Sequence, residues 1–477
     1  MHVIKKRKKG SCCIFQFAAI LFFLVLIPEA GYSANGAFDS YPLLSLEQAF
    51  ARVVTHSPSL VGDRLELELA EARMDEVTGR FRSPQFEAIS YGGLVSDARG
   101  NVVYSPDTSD DYSDLGPFFK IDMKIIQPLY TFGKYEAALE AGEQNIAGKE
   151  ASYRDALNEV RFLVTKAYLG VMAGNEGSAV GKDLLKHYHK LTSNLDDLID
   201  DPDSDLDSSY RLEAQTMFFE ITRLQTQPQI DRENAIRYLK GLLGYDEDIN
   251  LDVIDLKIPV LDLKEKTEDE FVAFFLAHSP LIHEIDKGIS ALRSLQRLEE
   301  NKKYPDLFVA MGLGYGTAPG RDEQDNAFVN DDYNYEKLGA VFGMKWDFNF
   351  HGNRAKETKI MLEHQKAVQK KKDALTYHGG KIRKLLKEAQ RYQVLYNAAM
   401  RSLKSAKSWL RLEQENFELG IGDIKRFVKA YQTFFDLRAK DITHRYHYLL
   451  TLAELARYAG DTTLFVEWID TGKVHID

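Results

Sequence analysis

The sequence runs through one series of motifs twice. "ARVVTHSPSL" at Ala51–Leu60 is matched by "AFFLAHSPLI" at Ala273–Ile282. A helical stretch follows each, then a proline that opens a strand: "SPQFEAISYGG" at Ser83–Gly93 and "YPDLFVAMGLGYG" at Tyr304–Gly316. An acidic, turn-rich loop, a second alternating strand and a strand-to-helix junction complete each copy. The offsets are 222 residues at His56/His278, 221 at Pro84/Pro305 and 219 at Gly133/Gly352. A shared tripeptide arises by chance. Three ordered anchors that drift by only three residues mark a duplicated unit of about 220 residues.

The repeat divides the chain. Residues 34–250 form the first unit, 251–266 a connection, 267–460 the second unit and 461–477 a tail. Residues 1–33 read as a signal peptide: Lys5, Lys6, Arg7, Lys8 and Lys9 precede an apolar run from Cys13 to Ile27, and Gly31-Tyr32-Ser33 offers small residues for cleavage. A retained anchor is the alternative, but the run is short of the ~20 residues a spanning helix needs. Removing this segment takes five Lys/Arg and one Glu and moves the net charge from −11 to −15. It also removes Cys12 and Cys13, the only cysteines, and with them disulfide and thiol chemistry. An acidic, exported chain is a poor nucleic-acid binder.

Each unit is expected to contain helix, strand, strand, very long helix, turn and helix. The helices are predicted at 44–80, 133–197 and 206–243, and at 267–302, 352–418 and 424–459. Leu385, Ala389, Tyr392, Tyr396, Ala399, Leu403, Ala406 and Leu410 are spaced alternately four and three apart, as in a coiled-coil seam. Tyr153, Leu157, Val160, Val164, Ala167 and Val171 repeat the spacing in the first unit. At ~1.5 Å per residue such helices reach about 100 Å. That length suits a rod or tube; an ordinary bundle with similar seams is the alternative. Gly170, Gly174, Gly177 and the pair Gly379-Gly380 mark either close helix packing or a bend.

The strands, predicted at 84–93, 118–130, 305–316 and 338–350, carry the second signal. Phe119, Ile121, Met123 and Ile125 fall on one face, with Lys120, Asp122 and Lys124 on the other. Phe342, Met344, Trp346 and Phe348 likewise oppose Lys345 and Asp347. A soluble sandwich shows the same alternation. The signal peptide and the strand lengths favour a membrane β-barrel, with the aromatic face in lipid and the charged face on a lumen. Four strands cannot close alone, because small barrels need about eight. Open edges are not tolerated in hydrocarbon, so several chains must share one barrel. Pro128, Gly133 and Gly352 then mark the joint between barrel and tube.

The motifs "QPLYTFGK" (Gln127–Lys134), "KAYLGVMAGNE" (Lys166–Glu176), "LKGLLG" (Leu239–Gly244), "KWDFNFHGNR" (Lys345–Arg354) and "ENFELGIGDIKRFVKAYQTFFDLRAK" (Glu415–Lys440) occur in this order. In that order the chain resembles the TolC-type outer-membrane efflux proteins over nearly its whole mature length. The resemblance implies a mostly α fold with a membrane β-barrel portion. A homotrimer would form a 12-stranded barrel continued by an α-helical periplasmic tube. It further implies a passive outer-membrane exit channel for drugs, metals or secreted proteins. Its partners would be a periplasmic adaptor and an inner-membrane efflux pump or ABC exporter. A soluble periplasmic coiled-coil scaffold or adaptor-like protein is the alternative.

The resemblance places the periplasmic tip, or gate, at Asp200, Asp201 and Asp203 in the first unit and at Gly420, Asp423, Arg426 and Lys429 in the second. The chain departs from the family here. Arg426 and Lys429 stand where acidic residues are common, and the first turn lacks its glycine. Asp201, Asp203, Asp205 and Asp207 do not make an EF-hand, because Leu206 and Leu212 occupy the Gly and Glu positions. The acidic turn is either a solvated loop or an anionic collar. His187/His189 and His444/His447 read as surface histidines. No Ser/His/Asp elbow, phosphate loop or CxxC is present, so neither an enzyme nor a bound cofactor or metal is expected.

Overall fold

The computed structural model describes residues 43–98, 110–200, 208–216, 218–263, 267–320, 332–419 and 421–474. The signal segment, Asp201, Asp203 and Gly420 lie outside the described residues.

The first unit opens with a short strand, β1 (Leu43–Leu44), and helix α1 (Leu46–His56). A capping box between Ser45 and Gln48 starts α1, satisfying amides that the helix itself cannot. Helix α2 (Val61–Arg82) leads into β2 (Gln85–Ala98) and β3 (Asp110–Tyr130). Then come α3 (Lys134–Ile199), α4 (Ser208–Thr216) and α5 (Phe218–Leu243). The short strands β4 (Asp252–Val253) and β5 (Asp262–Leu263) lie in the connection. The second unit repeats the order with α6 (Glu268–His278), α7 (Pro280–Asn301), β6 (Asp306–Thr317), β7 (Tyr335–Lys345), α8 (Phe350–Glu418) and α9 (Ile424–Tyr458). Helix α10 (Thr463–Thr471) and β8 (Lys473–Val474) close the chain.

The long helices α3 and α8 have 66 and 69 residues. Near the sheet, α3 packs on α2 and α7, and α7 packs on α8. Away from it, α3 packs on α5 and α9, and α9 on α8. The expected seams are the contact faces: Val160, Val164, Ala167 and Val171 are buried on α3, as are Leu385, Ala389, Ala399 and Ala406 on α8. Both helices run unbroken through their glycines. Gly174 and Gly177 serve close packing, since a methyl on Gly174 would lie 2.9 Å from the Pro228 carbonyl oxygen and one on Gly177 2.8 Å from the Pro228 ring. Gly380 has open space around it.

The duplicated His-Ser-Pro motif has a structural purpose. In each unit it ends a short helix, and its histidine carbonyl lies against the glycine that ends the returning helix: His56 against Gly244, and His278 against Gly460. Both glycines have positive φ, 63° and 76°, which favours glycine. Two small parallel pairs, β1 with β4 and β5 with β8, tie the chain's ends to the connection between the units.

Four strand boundaries differ from the sequence reading by three residues or more, among them the start of β7, at Tyr335 rather than 338. β2 and β3 extend to Ala98 and back to Asp110, into the stretch expected to be loop, with a register shift at Ser96/Asp97. β7 ends at Lys345, so Trp346, Asp347 and Phe348 lie beyond the strand to which their alternation assigned them.

Candidate functional site

The four long strands make one antiparallel sheet in the order β2-β3-β6-β7. The register fixes its two faces. Across the middle of the sheet Met123 pairs with Ala88 and Leu313, and Leu313 with Leu338. One step along, Ile125 pairs with Phe86 and Met311, and Val309 with Phe342. Phe119, Ile121, Met123, Ile125, Phe342 and Met344 therefore share one continuous apolar face, built from both units. Phe86, Phe119, Met123, Leu313, Leu338, Phe342 and Met344 are exposed on it.

The opposite face carries Glu87, Lys120, Asp122, Lys124, Lys337 and Lys345, with Ile89, Tyr91 and Val341 among them. Strand β6 offers only glycine there at 312, 314 and 316, which makes room for its neighbours. The Tyr335 hydroxyl donates to Asp122 Oδ1 at 3.0 Å above Gly314. The Lys120 ammonium sits 4.0 Å above the Tyr333 ring, a cation–π contact.

Both strand-to-helix joints dock on one short segment, residues 303–306. In the first joint, Pro128 lies beyond the last β2 partner, next to a register shift in the pairing with β6. The chain then turns through Phe132 and Gly133, both with positive φ. Lys134, only 9% exposed, follows at once. It donates to the Tyr304 carbonyl at 2.7 Å and pairs with Asp306 at 2.8 Å. In the second joint, Trp346 Nε1 donates to the Lys303 carbonyl at 3.0 Å. Asn349 caps α8 by accepting from the Gly352 amide at 3.0 Å. Gly133 and Gly352 thus have different tasks: the first precedes its helix, and the second lies inside the first turn of its own. Trp346 stacks on Phe348 at 5.0 Å, and both are exposed just past the strand.

At mid-height the connection is latched to the helices. Arg445 on α9 binds Glu176 on α3 at 2.7 Å, Asp441 at 2.9 Å and the Ile258 carbonyl at 2.9 Å. Burial works against the charge on Arg445, but the two carboxylates outweigh it and raise its pKa. His444 and His447, expected at the surface, are half-buried and face Tyr392 at 6.5 and 5.3 Å. Burial first, then His444 and Arg391, lower the pKa of His447.

At the far end, Asp200 caps the C-terminus of α3, and Asp423 starts α9 by accepting from the Lys425 amide at 2.9 Å. Arg426 reaches Glu413 at 3.5 Å, a carboxylate that also accepts from Trp409 Nε1 at 3.0 Å. Lys429 is exposed. Just above lies a groove floored by Phe417, Phe427, Tyr431 and Phe434. Sequence reasoning missed it, because its walls come from α3 and α8, which are remote in sequence.

A four-stranded sheet that continues through paired joints into two very long helices, duplicated within one chain, is the fold of the TolC-type outer-membrane channels. The comparisons agree. The chain is similar in structure to the Campylobacter jejuni CmeC outer membrane channel, with TM-score 0.68 and 16% identity over 90% of this chain and 89% of that one. It is similar to the outer membrane protein VceC from Vibrio cholerae, with TM-score 0.68 and 16% identity over 87% and 96%. It is also similar to the Neisseria gonorrhoeae MtrE outer membrane channel, with TM-score 0.67 and 14% identity over 87% and 89%. At such identities the likeness establishes the fold. No family model and no curated protein sequence matches the chain.

Proposed function

We propose that the chain is one third of an outer-membrane exit duct: a homotrimer with a 12-stranded barrel and a periplasmic helical tube. It would pass drugs, metals or secreted proteins without chemistry of its own. Energy would come from an inner-membrane pump or ABC exporter, coupled through a periplasmic adaptor. The observation that carries this reading is the sheet. It has a continuous apolar face, and the outer edges of β2 and β7 are unpaired among the described residues. Hydrocarbon accepts such a face but not such edges. Joining the β7 edge of one copy to the β2 edge of the next satisfies both, and three copies give twelve strands.

In this arrangement Phe119, Ile121, Met123, Ile125, Phe342 and Met344 face lipid. Lys120, Asp122, Lys124 and Lys345 face the lumen. Trp346 and Phe348, beyond the strand end, suit the aromatic belt at the membrane boundary. Asp347 lies with Lys345 and Lys134 in the cavity beside the joint. A soluble scaffold would instead leave Phe86, Leu338, Phe342 and Met344 in water together, a patch that soluble monomers rarely expose.

Purified full-length protein added to planar lipid bilayers tests the proposal. Discrete, long-lived ionic conductance steps are expected. A protein that enters membranes but never conducts contradicts the duct.

A further inference from the structure

The strand-to-helix joints surround a cavity of about 440 Å³. Its floor is apolar: Val77 and Phe81 of α2, Ala138 of α3 and Leu298 of α7, all half-buried. Phe81 leans on the Tyr135 ring, with centroids 5.4 Å apart. The walls are charged, and the charges fall into two groups. Two cations are already neutralised: Lys134 binds Asp306 at 2.8 Å, and Lys302 binds Glu299 at 2.6 Å. Four other charged side chains line the cavity, are exposed and form no ion pair among the described residues. Glu76 and Arg80 stand one turn apart on α2, and Lys345 and Asp347 stand at the end of β7 and just beyond it. Each side of the cavity thus offers one cation and one carboxylate.

The register of the sheet fixes the side on which the cavity lies. Asp306 and Lys345 are partners across β6 and β7, and both line it. Lys345 belongs to the charged face, opposite Phe342 and Met344, so the cavity opens on that face. All of its lining comes from one chain. On the duct reading the charged face is the lumen, and three such cavities ring the passage at the plane where barrel meets tube.

We propose that this cavity is a binding site for a small zwitterionic amphiphile: a molecule with an apolar ring or chain, one ammonium and one carboxylate. The inference rests on the duct reading for the site's place in a lumen, but not for the site itself. The apolar part lies on Val77, Phe81 and Leu298. The carboxylate has Arg80 and Lys345 to meet, and the ammonium has Glu76 and Asp347. A purely apolar ligand leaves all four charges unused. A ligand of one sign is attracted by two of them and repelled by the other two. Only a ligand with both signs and an apolar body uses the floor and the walls together.

The test uses full-length protein in lipid nanodiscs and three fluorescent probes with the same dansyl ring and chain. They are ε-dansyl-lysine, which carries both charges, dansylcadaverine, which lacks the carboxylate, and dansyl-aminohexanoate, which lacks the ammonium. Empty nanodiscs give the background. Fluorescence anisotropy is expected to show saturable binding of ε-dansyl-lysine, about tenfold tighter than either control, because each control lacks one charge-assisted contact. Arg80→Gln/Lys345→Gln should reduce its affinity to that of dansylcadaverine. Glu76→Gln/Asp347→Asn should reduce it to that of dansyl-aminohexanoate. The two variants report independently, so a folding failure in one leaves the other to decide. No saturable binding, equal binding of the three probes, or wild-type affinity in a folded double variant overturns the proposal. Probe binding by a protein that never conducts would count against the duct and leave the cavity standing. Conductance without probe binding would overturn the cavity alone.

Discussion

Gly460 and Gly244 show how much a single backbone position can carry. Each holds a positive φ, and each lies against the carbonyl of a His-Ser-Pro motif. A side chain at Gly460 would meet both the strain of left-handed backbone and the overlap with His278 and Pro280. Gly460→Ala should therefore cost about 2–4 kcal/mol of stability. Gly380→Ala, inside α8 with open space around it, should be neutral or stabilise by about 0.5–1 kcal/mol. Thermal unfolding of the two variants checks the contrast; equal losses would contradict it. The motif was legible in the sequence as a repeat. Its purpose was not, because the glycine it meets lies at the far end of the unit and only folding brings them together. His187, by contrast, was read correctly as exposed, but nothing local showed that it borders a groove.

At the scale of elements, the long helices were legible almost to the residue. Their seams and the glycines or asparagine at their starts are local signals. β7 was overextended because "WDFNF" keeps a two-residue alternation past Lys345. There the aromatic residues flank a turn, in which Asp347 accepts from the Asn349 amide at 3.1 Å and Asn349 caps α8. Periodicity alone does not separate the two cases. Asn349→Ala should cost about 1 kcal/mol, while Asn349→Asp should be tolerated; chemical denaturation measures the difference. β3 was underestimated for the opposite reason, since its acidic outer half has no alternation to read.

The helices also carry a pH response. Burial above all, with a smaller contribution from Arg457, holds the His378 pKa below its usual 6.5, against the pull of Asp155. His447 is shifted in the same direction. The unfolded chain binds more protons than the folded one between the depressed value and 6.5. The stabilisation is therefore complete above about pH 6.5 and is lost as pH falls through that window. Asp155 and Glu284, raised by burial, act in the opposite sense at lower pH, because the folded state holds their protons more tightly. Melting temperature should fall between about pH 7.5 and 5.5, and His378→Gln/His447→Gln should remove part of that fall. An identical fall in the variant would contradict the assignment.

For the whole molecule, the duplication and the strand count said most. Two units with two strands each give a sheet that cannot close alone, and on the duct reading its apolar face lies in lipid, where an open sheet cannot remain. What one sequence could not show is which surfaces meet in the assembly. The pairing of β3 with β6 joins the two units within one chain, and the outer edges of β2 and β7 are unpaired among the described residues; in the proposed trimer they meet neighbouring copies. The most direct test of this account is the native mass of the full-length protein released by detergent from isolated outer membranes. Three copies per particle are predicted. A single chain, or protein found only in the soluble periplasmic fraction, would contradict the central claim.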